Sequence, residues 1–198
     1  MATKAQKTTG FIIETVAPIF NKLGYVGTSM SDLTEATGLT KGAIYGNFEN
    51  KEALALAAFE FNRNILLNTI DEKLAIEGSA LEKIFSLTKF YRHYDIFTLK
   101  MGGCPILNIG VDAKNNNKLL TAAVKETAKE LEGKIALVLE NGVNSGELRL
   151  PVTPLQFAKQ MYTMIQGAIA MATITDDRKY LLNTIAYLEQ LVQKELQK

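Results

Sequence analysis

The sequence predicts an all-α protein, with an N-terminal three-helix domain over residues 1–50 and a larger helical domain over residues 51–198. Three observations predict it. Apolar residues recur at helical spacing in almost every segment. Ser and Thr caps and glycine stops mark where those segments begin and end. No strand pair or fixed-period repeat can be traced along the chain.

The first helix is expected over about Thr9–Leu23, where Ile12, Val16, Phe20 and Leu23 form one apolar stripe and Gly24 stops it. Pro18 lies inside this stretch and removes a backbone hydrogen bond, so a kink or a later start is expected there. Ser29 and Asp32 have the spacing of a capping box for a short second helix, which turns inward at Leu33 and ends at Gly38. Thr40 caps a third helix from Lys41 to about Phe48, with Ile44 and Phe48 inward. Asn50 caps a long fourth helix carrying Leu54, Ala58, Phe61, Ile65 and Ile70. Ser79 and Glu82 open the next helix, to about Tyr94, and the Gly102–Pro105 run breaks the chain. A short helix over Ile106–Asp112 follows, then a long one from Asn117 that ends in the loop Asn144–Pro151. Thr153 with Pro154 starts a helix to about Ala172, and Asp176 starts the last, whose stripe is Leu181, Ile185, Leu188 and Val192.

Composition bounds the function. No apolar run reaches the roughly 18 residues of a membrane span, and the N-terminus lacks the apolar core of a signal peptide, so a cytoplasmic protein is expected. Lys and Arg number 22 against 21 Asp and Glu, a net charge of +1. A nucleic-acid role therefore rests on the placement of a few residues and not on a strong basic field. The single His93 and single Cys104 make neither a metal-ligand set nor a catalytic triad, so no metal, no cofactor and no enzyme activity are expected.

Ser29 to Phe48 holds two short helices joined by Gly38-Leu39-Thr40, the spacing of a helix-turn-helix. In such a unit the second helix enters the major groove. Thr40 sits where free backbone N–H groups and the helix dipole favour a phosphate, and Lys41 adds a charge at the same edge. Gly42 and Ala43 are small enough for close approach to bases, and the Ala43 methyl suits a thymine methyl. Tyr45 presents a phenol to the backbone one turn on, and Asn47 can read a base edge or hold the backbone.

The runs Phe20-Asn-Lys-Leu-Gly24-Tyr25, Thr28-Ser29-Met-Ser-Asp-Leu33, Gly38-Leu-Thr-Lys-Gly-Ala-Ile-Tyr-Gly-Asn-Phe48 and Lys51-Glu-Ala-Leu54 together resemble the N-terminal domain of the TetR family, over about residues 9–60. The resemblance implies a ligand-responsive regulator, usually a repressor, acting as a homodimer on a near-palindromic double-stranded operator. It implies phosphate contacts at Thr28, Thr40, Lys41, Tyr45 and Lys51, with Ser29 beside them, and groove-facing positions at Gly42, Ala43, Gly46 and Asn47. Gly46 departs from the pattern, where many members carry a larger polar side chain, and the recognition segment has no arginine for bidentate reading of guanine.

The later helices are less specific. Phe61, Ile65, Tyr91, Tyr94, Phe97, Met101, Met161 and Tyr162, with Met164, lie on helices that line the effector cavity in members of the family. Aromatic and Met side chains with a few polar tips suit a small apolar molecule, though taken one by one most such residues are simply core. Phe157, Met161 and Ile165 on the penultimate helix and Ile185, Leu188 and Val192 on the last exceed what one small chain is expected to cover, which places a two-fold dimer face there. The alternative is a helical small-molecule binder or enzyme that has lost DNA binding, supported by the weak charge and by Gly46.

Overall fold

The computed structural model describes residues 3–196. Among these the chain is 81% helical, with ten α-helices and no strands. They are α1 (Lys4–Gly27), α2 (Met30–Thr37), α3 (Lys41–Tyr45), α4 (Lys51–Leu74), α5 (Ala80–Tyr91), α6 (Tyr94–Thr98), α7 (Pro105–Ala113), α8 (Lys118–Asn144), α9 (Pro154–Thr175) and α10 (Lys179–Leu191). The chain packs as two compact units. One holds residues up to Leu66 together with Phe97–Thr127; the other holds Leu67–Ile96 and the residues from Ala128 on. The three N-terminal helices thus share a unit with the first four turns of α4, with α7 and with the start of α8.

In the first unit the core is Ile12, Val16, Phe20, Leu33, Ile44, Leu54, Ala58 and Phe59, all at most 2% exposed. The helix starts are set by side chains. Thr3 and Gln6, Ser29 and Asp32, Ser79 and Glu82, and Thr153 and Gln156 each form a reciprocal capping box. α1 begins at Lys4, about two turns before the first residue of its apolar stripe, because Thr3 and Gln6 cap its start where no side chain is buried. Pro18 causes no break in α1. The non-helical residue is Gly24, with φ 77°, and a single turn to Gly27 follows it.

Polar groups fasten the segment before α7 to α1. The buried Asn21 side chain donates to the carbonyls of Met101 and Gly103, at 2.7 Å each. Asn108 answers from α7, its amide donating to Asn21 O at 3.0 Å and Gly102 O at 3.2 Å. The donor ends of both amides are paired across the two segments, which fixes register as well as position.

In the second unit Tyr91 and Tyr94 pack against Phe90 with ring centroids 5.2 and 5.7 Å away, both edge-on. Glu189 of α10 accepts from Thr88 at 2.9 Å and from the Arg92 guanidinium, which raises the Arg92 pKa above its ordinary value. Glu147, after α8, caps α5 from a distance by accepting from Ala80 N and Leu81 N at 2.8 Å each. Asp176 stands in the left-handed conformation that closes α9 at Thr175, and the last helix starts at Lys179, later than its charged cluster suggests.

Candidate nucleic-acid interface

The turn between α2 and α3 requires a glycine. Gly38 has φ 66° and its N–H closes α2 on Thr34 O at 3.0 Å. Two residues on, the Thr40 hydroxyl accepts from Ala43 N at 3.1 Å and starts α3. Ile44 is fully buried and anchors the helix, so the opposite edge faces outward. That edge carries Thr40, Lys41, Gly42, Ala43 and Gly46, all exposed, with Tyr45 half-buried beside them. The Lys41 ammonium lies 5.8 Å from the Tyr45 ring centroid, which places cation and phenol on one side of the helix. α3 ends at Tyr45, where Gly46 is the C-cap, three residues short of the expected Phe48.

The remaining residues expected at the interface stand differently. Both ends of the Asn47 amide are engaged within the protein: it donates to Ala43 O at 2.9 Å and accepts from the Thr9 hydroxyl at 2.8 Å. Asn47 therefore holds α1 against α3. Thr28 is 1% exposed and donates its hydroxyl to Gly24 O at 2.6 Å, closing the bend in α1. Ser29 is exposed and caps α2, its N–H donating to Asp32 at 2.6 Å. That bond and the Ser29 side chain hold the Asp32 carboxyl below the ordinary carboxylate range. Lys51, at the first position of α4, is turned inward and donates to Tyr25 O at 2.6 Å, with Nζ 4.6 Å from the Tyr25 ring centroid.

The eight residues expected around an effector divide evenly. Phe61, Ile65, Phe97 and Met101 belong to the first unit; Tyr91, Tyr94, Met161 and Tyr162 are buried in the second. Among the described residues, each unit carries an open cleft. One of about 300 Å³ in the second unit is lined by Gly78–Ala80, Lys83, Val138, Asn141, Gly142, Ser145 and Glu147. One of about 330 Å³ in the first is lined by Pro18, Ile19, Lys22, Leu23, Leu99, Lys100 and Gly102. None of the eight lines either. The five residues assigned to a dimer face, Phe157, Ile165, Ile185, Leu188 and Val192, are at most 4% exposed within the single chain. They form the core of their own unit, because α9 and α10 pack on each other. The apolar side chains that these helices leave outward are Leu155, Met171, Ile174, Tyr180 and Tyr187.

Sequence reasoning missed Asn21, Tyr25 and Asp112. Asn21 interrupts an otherwise apolar face, and a buried amide there is a legible signal. Asp112 carries no local signal, since its partners are 86 and 87 residues away.

An exposed helix edge of this chemistry, presented after a sharp glycine turn, defines a helix-turn-helix DNA-binding regulator. Residues 12–58 match the family described as bacterial regulatory proteins, tetR family, and residues 80–188 match the tetracyclin repressor-like C-terminal domain. The chain belongs to the TetR family of transcriptional regulators. It is similar to a TetR-family regulator from Cytophaga hutchinsonii, 34% identical with a TM-score of 0.90, covering 98% of this chain and 96% of that one. A TetR regulator from Chloroflexus aurantiacus is 30% identical with a TM-score of 0.92, over 98% of both chains. The HTH-type transcriptional repressor NemR of Escherichia coli (strain K12) is 25% identical over 175 residues, 85% of each chain.

Proposed function

We propose that this regulator is a cytoplasmic homodimeric repressor that leaves a near-palindromic operator when a small apolar effector binds. The observation that carries the reading is the outward edge of α3, where Thr40, Lys41 and Tyr45 flank the small Gly42 and Ala43. Thr40, Lys41 and Tyr45 hold phosphates. Gly42, Ala43 and Gly46 let the helix sit deep against base edges, reading them by close contact and not by long side chains. Asn47 acts by holding α3 on α1. That NemR is a repressor by name supports repression over activation.

Dimerisation uses the outward apolar residues of α9 and α10, and a two-fold axis sets the two recognition helices about one DNA turn, ~34 Å, apart. The effector acts through α4. From Lys51 to Ile65 this helix rises about 21 Å, so a ligand touching Phe61 or Ile65 moves its DNA end as one body. Effector and DNA then weaken each other by a coupling of about 1–3 kcal/mol.

A gel shift on the chain's own upstream promoter, with salt varied, tests the reading. Specific retardation that falls steeply with salt is expected. Turnover or binding of a small molecule by a protein with no DNA affinity would replace the regulator by a binder or enzyme.

A further inference from the structure

We infer that Asp112 of α7 is a positioning residue for DNA binding: through Tyr25 it keeps Lys51 folded inward, so that Lys51 reaches a phosphate only when α7 releases the last turn of α1. The inference rests on the regulator reading above and names a control built into that same interface.

The geometry centres on Gly24. With φ 77° it breaks α1, and the N–H groups at the start of the turn that follows take an acceptor from outside the helix. The Asp112 carboxylate accepts from Tyr25 N at 2.6 Å and, more weakly, from Val26 N at 3.4 Å. A Cβ on Gly24 would stand 2.6 Å from the Asp112 carboxyl, so only glycine admits both the backbone conformation and the carboxylate. Tyr25 then presents its carbonyl and its ring to Lys51, at 2.6 Å and 4.6 Å. One residue is thus held at its N–H by α7 and at its C=O by α4.

Charge explains why Lys51 stays inward. Burial pulls its ammonium below the ordinary lysine range, while the carboxylates of Asp112 and Asp32 oppose that pull. Removing the Asp112 charge weakens the inward position and frees a cation at the first turn of α4, six residues beyond Tyr45. α7 is itself gripped through Asn108 and Asn21. Any shift of α7 is therefore felt at Tyr25.

Two measurements on the full chain test this. The first needs no DNA: acetylation rates of individual lysines, read by mass spectrometry. Lys51 should react more slowly than the exposed Lys41, and Asp112→Asn, which replaces the charge-assisted bond from Tyr25 N by a weaker neutral one, should speed Lys51 selectively. Equal rates for Lys51 in parent and variant would overturn the proposal.

The second uses an operator duplex recovered by selection from random sequence, titrated between about 50 and 200 mM salt. Asp112→Asn should bind more tightly at low salt and steepen the salt slope by about 1, the signature of one added phosphate contact. Lys51→Met should keep the parent slope, and the double variant should return to it. A steepening that survives in the double variant would mean that Asp112 acts on DNA by its own charge, and would overturn the latch. So would a slope already reduced by about 1 in Lys51→Met, which also decides the matter if Asp112→Asn fails to fold. A parent that selects no sequence sinks the regulator reading itself, a failure distinct from an altered lysine profile.

Discussion

The hydroxyl of Thr9 on α1 donates to the side-chain oxygen of Asn47 just past α3, at 2.8 Å across 38 residues of sequence. With the second bond from Asn47 to Ala43 O, this joins the first helix of the domain to the helix proposed to read DNA. Asn47→Ala removes both bonds and should cost about 1–2 kcal/mol of stability. Operator affinity should fall by a similar factor for all sequences, because the whole helix loses its seat. Thermal melting and a panel of single-base operator variants check this. Unchanged stability with a preference altered at one base pair would make Asn47 a reader.

Lys41 and Tyr45 share the outward side of α3. Lys41→Ala should weaken binding to every duplex and reduce the magnitude of the salt slope by about 1. Tyr45→Phe should weaken binding with little change in slope, since it removes a neutral hydroxyl. Parent-like binding by both variants across a salt series would remove them from the phosphate contacts.

Burial separates two kinds of apolar residue on the last helices. Ile174, 77% exposed on α9, should be part of the face between copies, whereas Ile185 on α10 is fully buried in its own chain. Ile174→Asp should yield a folded species near 21.8 kDa in place of one twice that mass. Ile185→Asp should lose helix content, because it places an unpaired charge in a core. Light scattering with circular dichroism distinguishes them. A dimer unaffected by Ile174→Asp would move the face elsewhere.

Two capping carboxylates set an acid limit. Backbone and then side-chain hydrogen bonds from Ser29 lower the Asp32 pKa, and those from Ser79 do the same for Glu82. A lowered folded pKa means stability that is present above the unfolded value, about pH 4, and lost as pH falls through the folded value. Denaturant midpoints should therefore drop below about pH 4. The Asp32→Asn, Glu82→Gln double variant, which cannot titrate at these positions, should be less stable at neutral pH and show a shallower acid fall. An equal fall in both proteins would assign the acid limit to other groups.

Where the sequence was legible, the reason is local chemistry. The capping boxes at Ser29 and Ser79, the Thr40 cap, the Gly38 turn and the Thr153-Pro154 start all lie within a few residues of what they control. The exposed edge of α3 followed from the same signals. Pro18 misled, since α1 runs through it, whereas the stop expected at Gly24 is where the helix breaks, with a distant carboxylate beside it. Periodicity told which faces of α9 and α10 are covered, but not by what. Phe157, Ile165, Ile185, Leu188 and Val192 are covered by their own chain. Thr28, Asn47 and Lys51 are polar residues near positions expected to face DNA, but the fold uses their side chains internally, through partners that sequence spacing does not reveal.

Two copies of α3, related by two-fold symmetry, are proposed to read a specific DNA site. Selection of bound duplexes from a random library by the purified full chain tests it most directly. The expected result is enrichment of a near-palindrome whose half-sites lie about one helical turn, ~34 Å, apart, with enrichment lost in the Lys41→Ala, Tyr45→Phe double variant. A library that emerges unenriched at low salt, or a single unrepeated half-site, would contradict it.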